Sequence, residues 1–262
     1  MNDQPLKIYF QTDLVPLVFK GEKACSLLNG QLTNDIKNLK TGETNYNLLL
    51  TIKGKVVADM HVLRNEDDFE VWVPRIFVEK VLDHFKRLAP LSKVEIIRPP
   101  GDGKNPPRSP FSKGGCLESE RIENGIPKVG VDVTEENLPQ EGKLDHALSF
   151  TKGCYLGQEI IARLHYKGHV NKILELLVIE GKEVPEPGTL IMKDEQIVGK
   201  VTSSTFSTKY QKPICLGYVP YKMKEAGTVF EIGGKMARIL ERHPGPSTTL
   251  RDLSLNNPVT GS

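Results

Sequence analysis

The sequence predicts an α+β fold that ends in a small antiparallel β-barrel, and two observations carry that reading. Helix-period and strand-period segments alternate between Leu6 and Arg98. From Ile173 to Leu240, six short β-like runs then follow one another within about 70 residues, separated by Pro and Gly turns. Strands this short leave their edges unpaired unless the sheet closes on itself, so a barrel is the expected arrangement.

In chain order, Gly21 to Leu32 (GEKACSLLNGQL) places Ala24, Leu27, Leu28 and Leu32 at helical spacing. Tyr46 to Ile52 and Lys55 to Leu63 are apolar-rich runs split by Lys53-Gly54, which reads as a hairpin. Phe69 to Val73 alternates as a strand does. Ile76 to Leu88 sets Val78, Val81, Leu82, Phe85 and Leu88 on one helical face, and Val94 to Ile97 returns to strand. Residues 98 to 115 hold five prolines and four glycines in eighteen positions and read as a disordered loop; a basic arm made of Arg98, Lys104, Arg108 and Lys113 is the alternative. Glu120 to Val133 reads as a short element, a turn at Asn124-Gly125 and a strand-like stretch. The six barrel runs are Ile173–Ile179, Leu190–Lys193, Ile197–Thr205, Ile214–Val219, Val229–Ile232 and Met236–Leu240. The expected organisation is 1–98 as an N-terminal α+β part, 99–115 as the Pro/Gly loop, 116–170 as the remainder of that domain, 171–243 as the barrel and 244–262 as a flexible tail.

Composition narrows the function classes. The 262 residues carry 35 Lys and Arg against 33 Asp and Glu, a net charge of +2, so direct nucleic-acid binding through a basic face is not expected. Apolar runs such as Leu48-Leu49-Leu50 fall far short of the ~20 residues that cross a membrane, and the first residues show no targeting pattern, so a cytoplasmic protein is expected. The cysteines, Cys25, Cys116, Cys154 and Cys215, have no C-x-x-C or ribbon spacing, which argues against structural zinc or a disulfide framework.

Ser149 to Lys172 holds the densest polar motif. Ile160, Ile161 and Leu164 recur at helical spacing, so a helix is expected to begin near Leu156 and stop before Gly168, with Gly168 at C′. Cys154 then lies at or just outside the helix N-terminus, where the dipole and Lys152 favour a thiolate; a small buried hydrophobe is the bland alternative. Glu159 and Arg163 form an i, i+4 pair. Cys154, His165 and His169 can be drawn as metal ligands, but no fourth soft ligand follows and Lys167 intrudes, so no metal is expected.

KGCYLGQE, Lys152 to Glu159, followed by Ala162-Arg163, closely resembles the signature of the YgfZ-type folate-binding proteins, relatives of the glycine cleavage T-protein (aminomethyltransferase). GEKACSLLNGQLTNDI, the TIKGKVVADMHVL hairpin, RIENGIPKVGVDV and the terminal PGTLI, VGKVTSS and LGYVP blocks extend the resemblance over most of residues 14 to 242. It implies a T-protein/YgfZ-like folate-binding domain with a C-terminal β-barrel, tetrahydrofolate as cofactor, and a role in maturation or repair of iron-sulfur enzymes, [4Fe-4S] proteins and a tRNA-thiolating enzyme among them. Iron-sulfur client or assembly proteins would be its partners. The resemblance implies Cys154 as the reactive group, Asp59 facing folate and Glu123 on the pterin, with Lys152, Tyr155, Gln158, Glu159 and Arg163 completing the cofactor-binding set. The sequence departs from the family in the short stretch between Val94 and Glu120, where one wall of the folate pocket is expected. Leu14 and Leu117 stand where bacterial relatives often carry tryptophan, and the single Trp72 lies elsewhere. An aminomethyltransferase and a degenerate member kept for protein contacts are the competing readings.

Overall fold

The computed structural model describes residues 13–99 and 118–240. The expected Pro/Gly loop beyond residue 99, Leu117, Cys116 and the tail at 244–262 lie outside the described residues. The first part runs β1 (Leu14–Lys20), α1 (Ala24–Gln31), β2 (Thr44–Leu50), β3 (Val56–Arg64), β4 (Asp68–Pro74), α2 (Val78–Phe85), α3 (Leu88–Leu91) and β5 (Glu95–Ile97). Its strands form one antiparallel sheet in the order β2-β3-β4-β1-β5.

Alternation gives the sheet two unlike faces. Val15, Leu17 and Phe19 on β1 share one face with Met60, Val62, Val71 and Val73, all buried in the same core as Leu27 and Leu28 of α1 and Val81 and Phe85 of α2. The Phe19 and Phe85 rings meet edge to face with centroids 5.0 Å apart. The opposite face carries Leu14, Tyr46, Asp59, His61 and Trp72.

Three sequence expectations need correction here. β1 was not anticipated, because Pro16 masks the Val15, Leu17, Phe19 alternation. The strand tolerates it because β5 pairs only with Val18, Phe19 and Lys20, so no ladder bond is asked of the proline on that side. The single helix expected over Ile76–Leu88 is broken into a 3₁₀ turn at Arg75–Phe77, then α2 and α3; Pro90 cannot donate to the Lys86 carbonyl, a bond that would join the last two. The strand-like stretch after Gly125 is a loop with one bridge, Val129 to Val133.

That loop follows α4 (Glu118–Glu123) and curls around an ionic knot. Arg121 donates to Asp132 Oδ2 at 2.8 Å and to Ser203 Oγ at 3.0 Å. Asp132 also accepts from Ser203 Oγ, from the Lys128 amide and from Thr202. Strand propensity in Ile126–Val133 loses to this network because a buried aspartate must be saturated with donors.

After α5 (Gln158–Lys167) come β6 (Lys172–Ile179), β7 (Leu190–Lys193), β8 (Gln196–Ser207), β9 (Lys212–Pro220), β10 (Val229–Ile232) and β11 (Lys235–Ile239). They close into a six-stranded antiparallel barrel in the order β10-β11-β6-β9-β8-β7. Ile173, Leu177, Ile179, Cys215 and Val219 belong to its inner core, while Leu174, Leu176, Ile214 and Leu216 form a second cluster with Ile122 of α4. β6 and β9 are thus buried on both faces, which explains the nearly unbroken apolar runs of these two strands. A side chain at Gly199 would stand 1.8 Å from the Tyr218 carbonyl oxygen, so that strand crossing requires glycine.

Candidate functional site

The second face of the sheet holds a cluster of titratable groups placed there by the β2–β3 register. Tyr46 pairs with His61 and Leu48 with Asp59, so residues two apart on each strand share this face. The Tyr46 hydroxyl donates to Asp59 Oδ2 at 3.0 Å. Its ring lies 5.1 Å from His61 and stacks on His146 at 5.5 Å with 13° between the planes. His146 sits in a 3₁₀ turn, Asp145–Ala147, which Thr33 fastens to the sheet: its hydroxyl donates to the Ala147 carbonyl at 2.7 Å and accepts from the Leu48 amide at 2.8 Å. Trp72 faces His61 in the β3–β4 register and donates its indole N–H to Glu70 Oε2 at 3.0 Å.

Burial sets the chemistry of this cluster. It pushes the Asp59 carboxyl up to about 6, against the opposing pull of the Tyr46 hydrogen bond. It drives the His61 imidazole down to about 4, and the neighbouring His146 acts in the same direction. At neutral pH the face therefore presents a neutral imidazole beside a carboxylate that accepts N–H donors and takes up a proton near pH 6.

The KGCYLGQE segment is built differently. Lys152 Nζ donates to the carbonyls of Asn29 (2.6 Å), Leu32 (2.6 Å) and Asn34 (2.8 Å), capping the end of α1 and the loop after it. The three ammonium protons are committed to these carbonyls. Burial lowers this ammonium to about 8, with Asp35 opposing. Gly157 is the N-cap of α5 with φ +79, and a side chain there would lie 2.5 Å from the Thr51 carbonyl, so the helix start is seated on the β2–β3 turn. α5 begins at Gln158, two residues later than expected, and its C-cap Gly168 is extended (φ −153) rather than left-handed. Cys154, three residues before the N-cap, is exposed.

The structure thus distributes the sequence candidates over several places. Asp59 is on the sheet face. Tyr155 is buried in the main core; its hydroxyl finds no hydrogen-bond partner among the described residues, and burial raises it to about 12. Gln158, Glu159 and Arg163 lie on α5, where Arg163 reaches Glu159 at 3.1 Å with both side chains largely in solvent. Glu123 ends α4 and accepts hydrogen bonds from the Ser207 hydroxyl and the Lys209 amide of the barrel. Among the described residues, no group of three His, Cys, Asp or Glu side chains is placed to hold a metal. Sequence reasoning missed Tyr46, His61 and His146. The first two follow from the hairpin register once the turn is set at Lys53-Gly54; His146 meets Tyr46 across a hundred residues of chain, and no local signal marks it.

Residues 10–100 match the GCVT N-terminal domain, and residues 171–240 match the glycine cleavage T-protein C-terminal barrel domain. The chain belongs to the glycine cleavage T-protein superfamily. An uncharacterized protein of Haemophilus influenzae is 28% identical over 205 residues, 66% of this chain and 73% of that protein. An aminomethyltransferase of Caldanaerobacter subterraneus subsp. tengcongensis is 24% identical over 226 residues, 84% of this chain but 54% of that enzyme. By sequence, this superfamily member spans about half the length or less of several aminomethyltransferases it matches. The aminomethyltransferase T of the Bartonella henselae glycine cleavage system shares the fold, with a TM-score of 0.76 at 18% identity, over 88% of this chain and 83% of that one. No helix among the described residues is long and apolar enough to cross a membrane.

Proposed function

We propose that this protein binds tetrahydrofolate at the Tyr46, Asp59, His61 face of its sheet and acts, as the YgfZ-type signature implies, in the maturation or repair of iron-sulfur enzymes. The observation that carries the folate reading is Asp59: a buried carboxylate held by a tyrosine, beside a neutral imidazole and aromatic rings. This donor set fits a pterin. The carboxylate takes the ring N–H and amino donors, and the planar rings of Tyr46, His61 and Trp72 supply apolar contact. Tetrahydrofolate would supply a reduced ring nitrogen near a group that titrates at about 6. Cys154, exposed ahead of α5, is the group through which a protein client would be engaged.

Calorimetric titration with tetrahydrofolate tests this. Saturable binding is expected, weakened by ~1–3 kcal/mol in Asp59→Asn, whose amide keeps one acceptor oxygen but turns an N–H donor on the second ligand donor and leaves it unpaired. Absence of binding, or affinity unchanged in the variant, would overturn the folate reading. The names of the relatives favour a second reading, aminomethyl transfer to folate. Turnover in a glycine cleavage system lacking its own T-protein, abolished by Asp59→Asn, would put that reading first.

A further inference from the structure

We infer that Lys152 is a positioning residue for the Tyr46–Asp59 pair: it holds the loop after α1 in the one arrangement that fixes Tyr46 against Asp59. The inference deepens the site on which the folate reading rests, and the path is a chain of hydrogen bonds. Lys152 Nζ donates to the Asn34 carbonyl at 2.8 Å. Asn34 in turn donates its side-chain amide to the Tyr46 carbonyl at 3.1 Å and its backbone N–H to Asn47 Oδ1 at 2.8 Å. Tyr46 then donates its hydroxyl to Asp59 Oδ2 at 3.0 Å.

The same ammonium binds the Asn29 and Leu32 carbonyls, both at 2.6 Å. Those oxygens lie at the end of α1, where no helical N–H remains to reach them, and a cation there also meets the negative end of the helix dipole. Without Lys152, three carbonyls converge on a space with no donor in it, and the loop must move to find water. Any such movement displaces Asn34, which is bonded to the Tyr46 carbonyl and to the Asn47 side chain of β2. Thr33, the residue between Leu32 and Asn34, also ties the His146 turn to the sheet, so the stacked ring of His146 is governed by the same loop.

Lys152 therefore reaches the site without touching it, through the backbone. This gives the lysine of the KGCYLGQE block a role separate from that of Cys154. It also separates positioning from simple stabilisation, because a phenol hydrogen bond to a carboxylate favours the ionised form. Loosening Tyr46 must raise the Asp59 titration midpoint.

The test follows the Asp59 carboxyl by ¹³C NMR against pH in the ligand-free protein. Among the described residues the Tyr46 hydroxyl on β2 bonds the carboxyl directly, His61 shares its strand and face, and His146 of the 3₁₀ turn, itself next to Asp145, stacks on Tyr46. Tyr46→Phe is expected to raise the midpoint by about half a pH unit or more, and Lys152→Met and Asn34→Ala to move it in the same direction by a smaller step. Lys152→Arg, which keeps a cation and several donors, is expected to return it towards the wild-type value. A midpoint that stays at the wild-type value in Lys152→Met and Asn34→Ala while Tyr46→Phe shifts it would overturn the inference, even with a lowered melting temperature. Should Lys152→Met fail to fold, Asn34→Ala decides alone, since it cuts the path one residue further on. The measurement needs no folate: a shifted midpoint alongside a failed tetrahydrofolate titration supports Lys152 as the positioning residue and overturns the folate reading alone.

Discussion

Two buried aspartates, Asp132 and Asp59, show how differently the two halves of this molecule use the same side chain. Asp132, at the join between α4 and the barrel, meets a guanidinium, two hydroxyls and a backbone amide. Asp59, on the sheet face, meets a phenol and lies near imidazoles, and burial lifts its carboxyl to about 6. A saturated carboxylate is a structural rivet; one held by a neutral donor and kept from water remains able to exchange a proton. The difference separates architecture from site more clearly than burial does, since the two residues are almost equally hidden.

The largest effect follows from breaking the rivet. Asp132→Ala leaves the Arg121 guanidinium buried without its main counter-charge and is expected to cost about 3–5 kcal/mol of unfolding free energy, read as a lower midpoint in urea. A loss under 1 kcal/mol would show that water or Glu118 replaces the partner at little cost and that the two aspartates are not opposites. Glu118 already touches Arg121 at 2.6 Å from an exposed position, which places it to compensate.

Asp59→Asn should act in the other direction. The carboxyl rises from 3.8 to about 6 on folding, so the folded state holds the proton more tightly than the unfolded chain. Its favourable contribution is complete below pH ~4 and is lost as pH rises through 6. At pH 7 the wild type carries the cost of a buried carboxylate, and removing the charge should stabilise by up to about 3 kcal/mol, with the gain vanishing below pH ~4. His61 has the opposite slope. Its imidazole falls from 6.5 to about 4, so its contribution grows as pH rises through that window and offsets much of the Asp59 loss in the wild type. Melting temperatures of the two proteins between pH 4 and 7 should therefore diverge steadily. Parallel curves would mean that Asp59 is solvated, and the contrast with Asp132 would collapse.

The barrel was legible in the sequence because its β-like runs follow one another closely and are separated by Gly or Pro turns, and closure then follows from the need to pair edges. The hairpin was legible for the same local reason. What stayed hidden depends on contacts between distant parts of the chain. β1 is recognisable only when β4 and β5 show why Pro16 is harmless there. The loop after Gly125 follows Arg121 and Ser203 rather than its own strand propensity. In the site, Asp59 could be named from the hairpin, whereas His146 and the carbonyls around Lys152 come from segments more than eighty residues away. Periodicity reads one element at a time, and these partners meet only when elements pack.

The smallest effect concerns a pair whose i, i+4 spacing marks it as a surface salt bridge. Glu159 and Arg163 meet at 3.1 Å on the outer side of α5, with side chains 83% and 68% exposed. A solvated i, i+4 pair contributes a few tenths of a kcal/mol at most, so Glu159→Ala should shift stability by less than about 0.5 kcal/mol, and less still in high salt. That near-silence makes the variant useful. Asp132 is so deeply built in that any functional loss on its removal is mixed with a change in the fold, whereas Glu159 carries almost no structural weight. If Glu159→Ala leaves tetrahydrofolate affinity as it was, the carboxylates that matter for the ligand lie on the sheet face. A tenfold loss of affinity at unchanged melting temperature would instead bring the N-terminal turn of α5, and Cys154 just before it, into the same binding surface as Asp59.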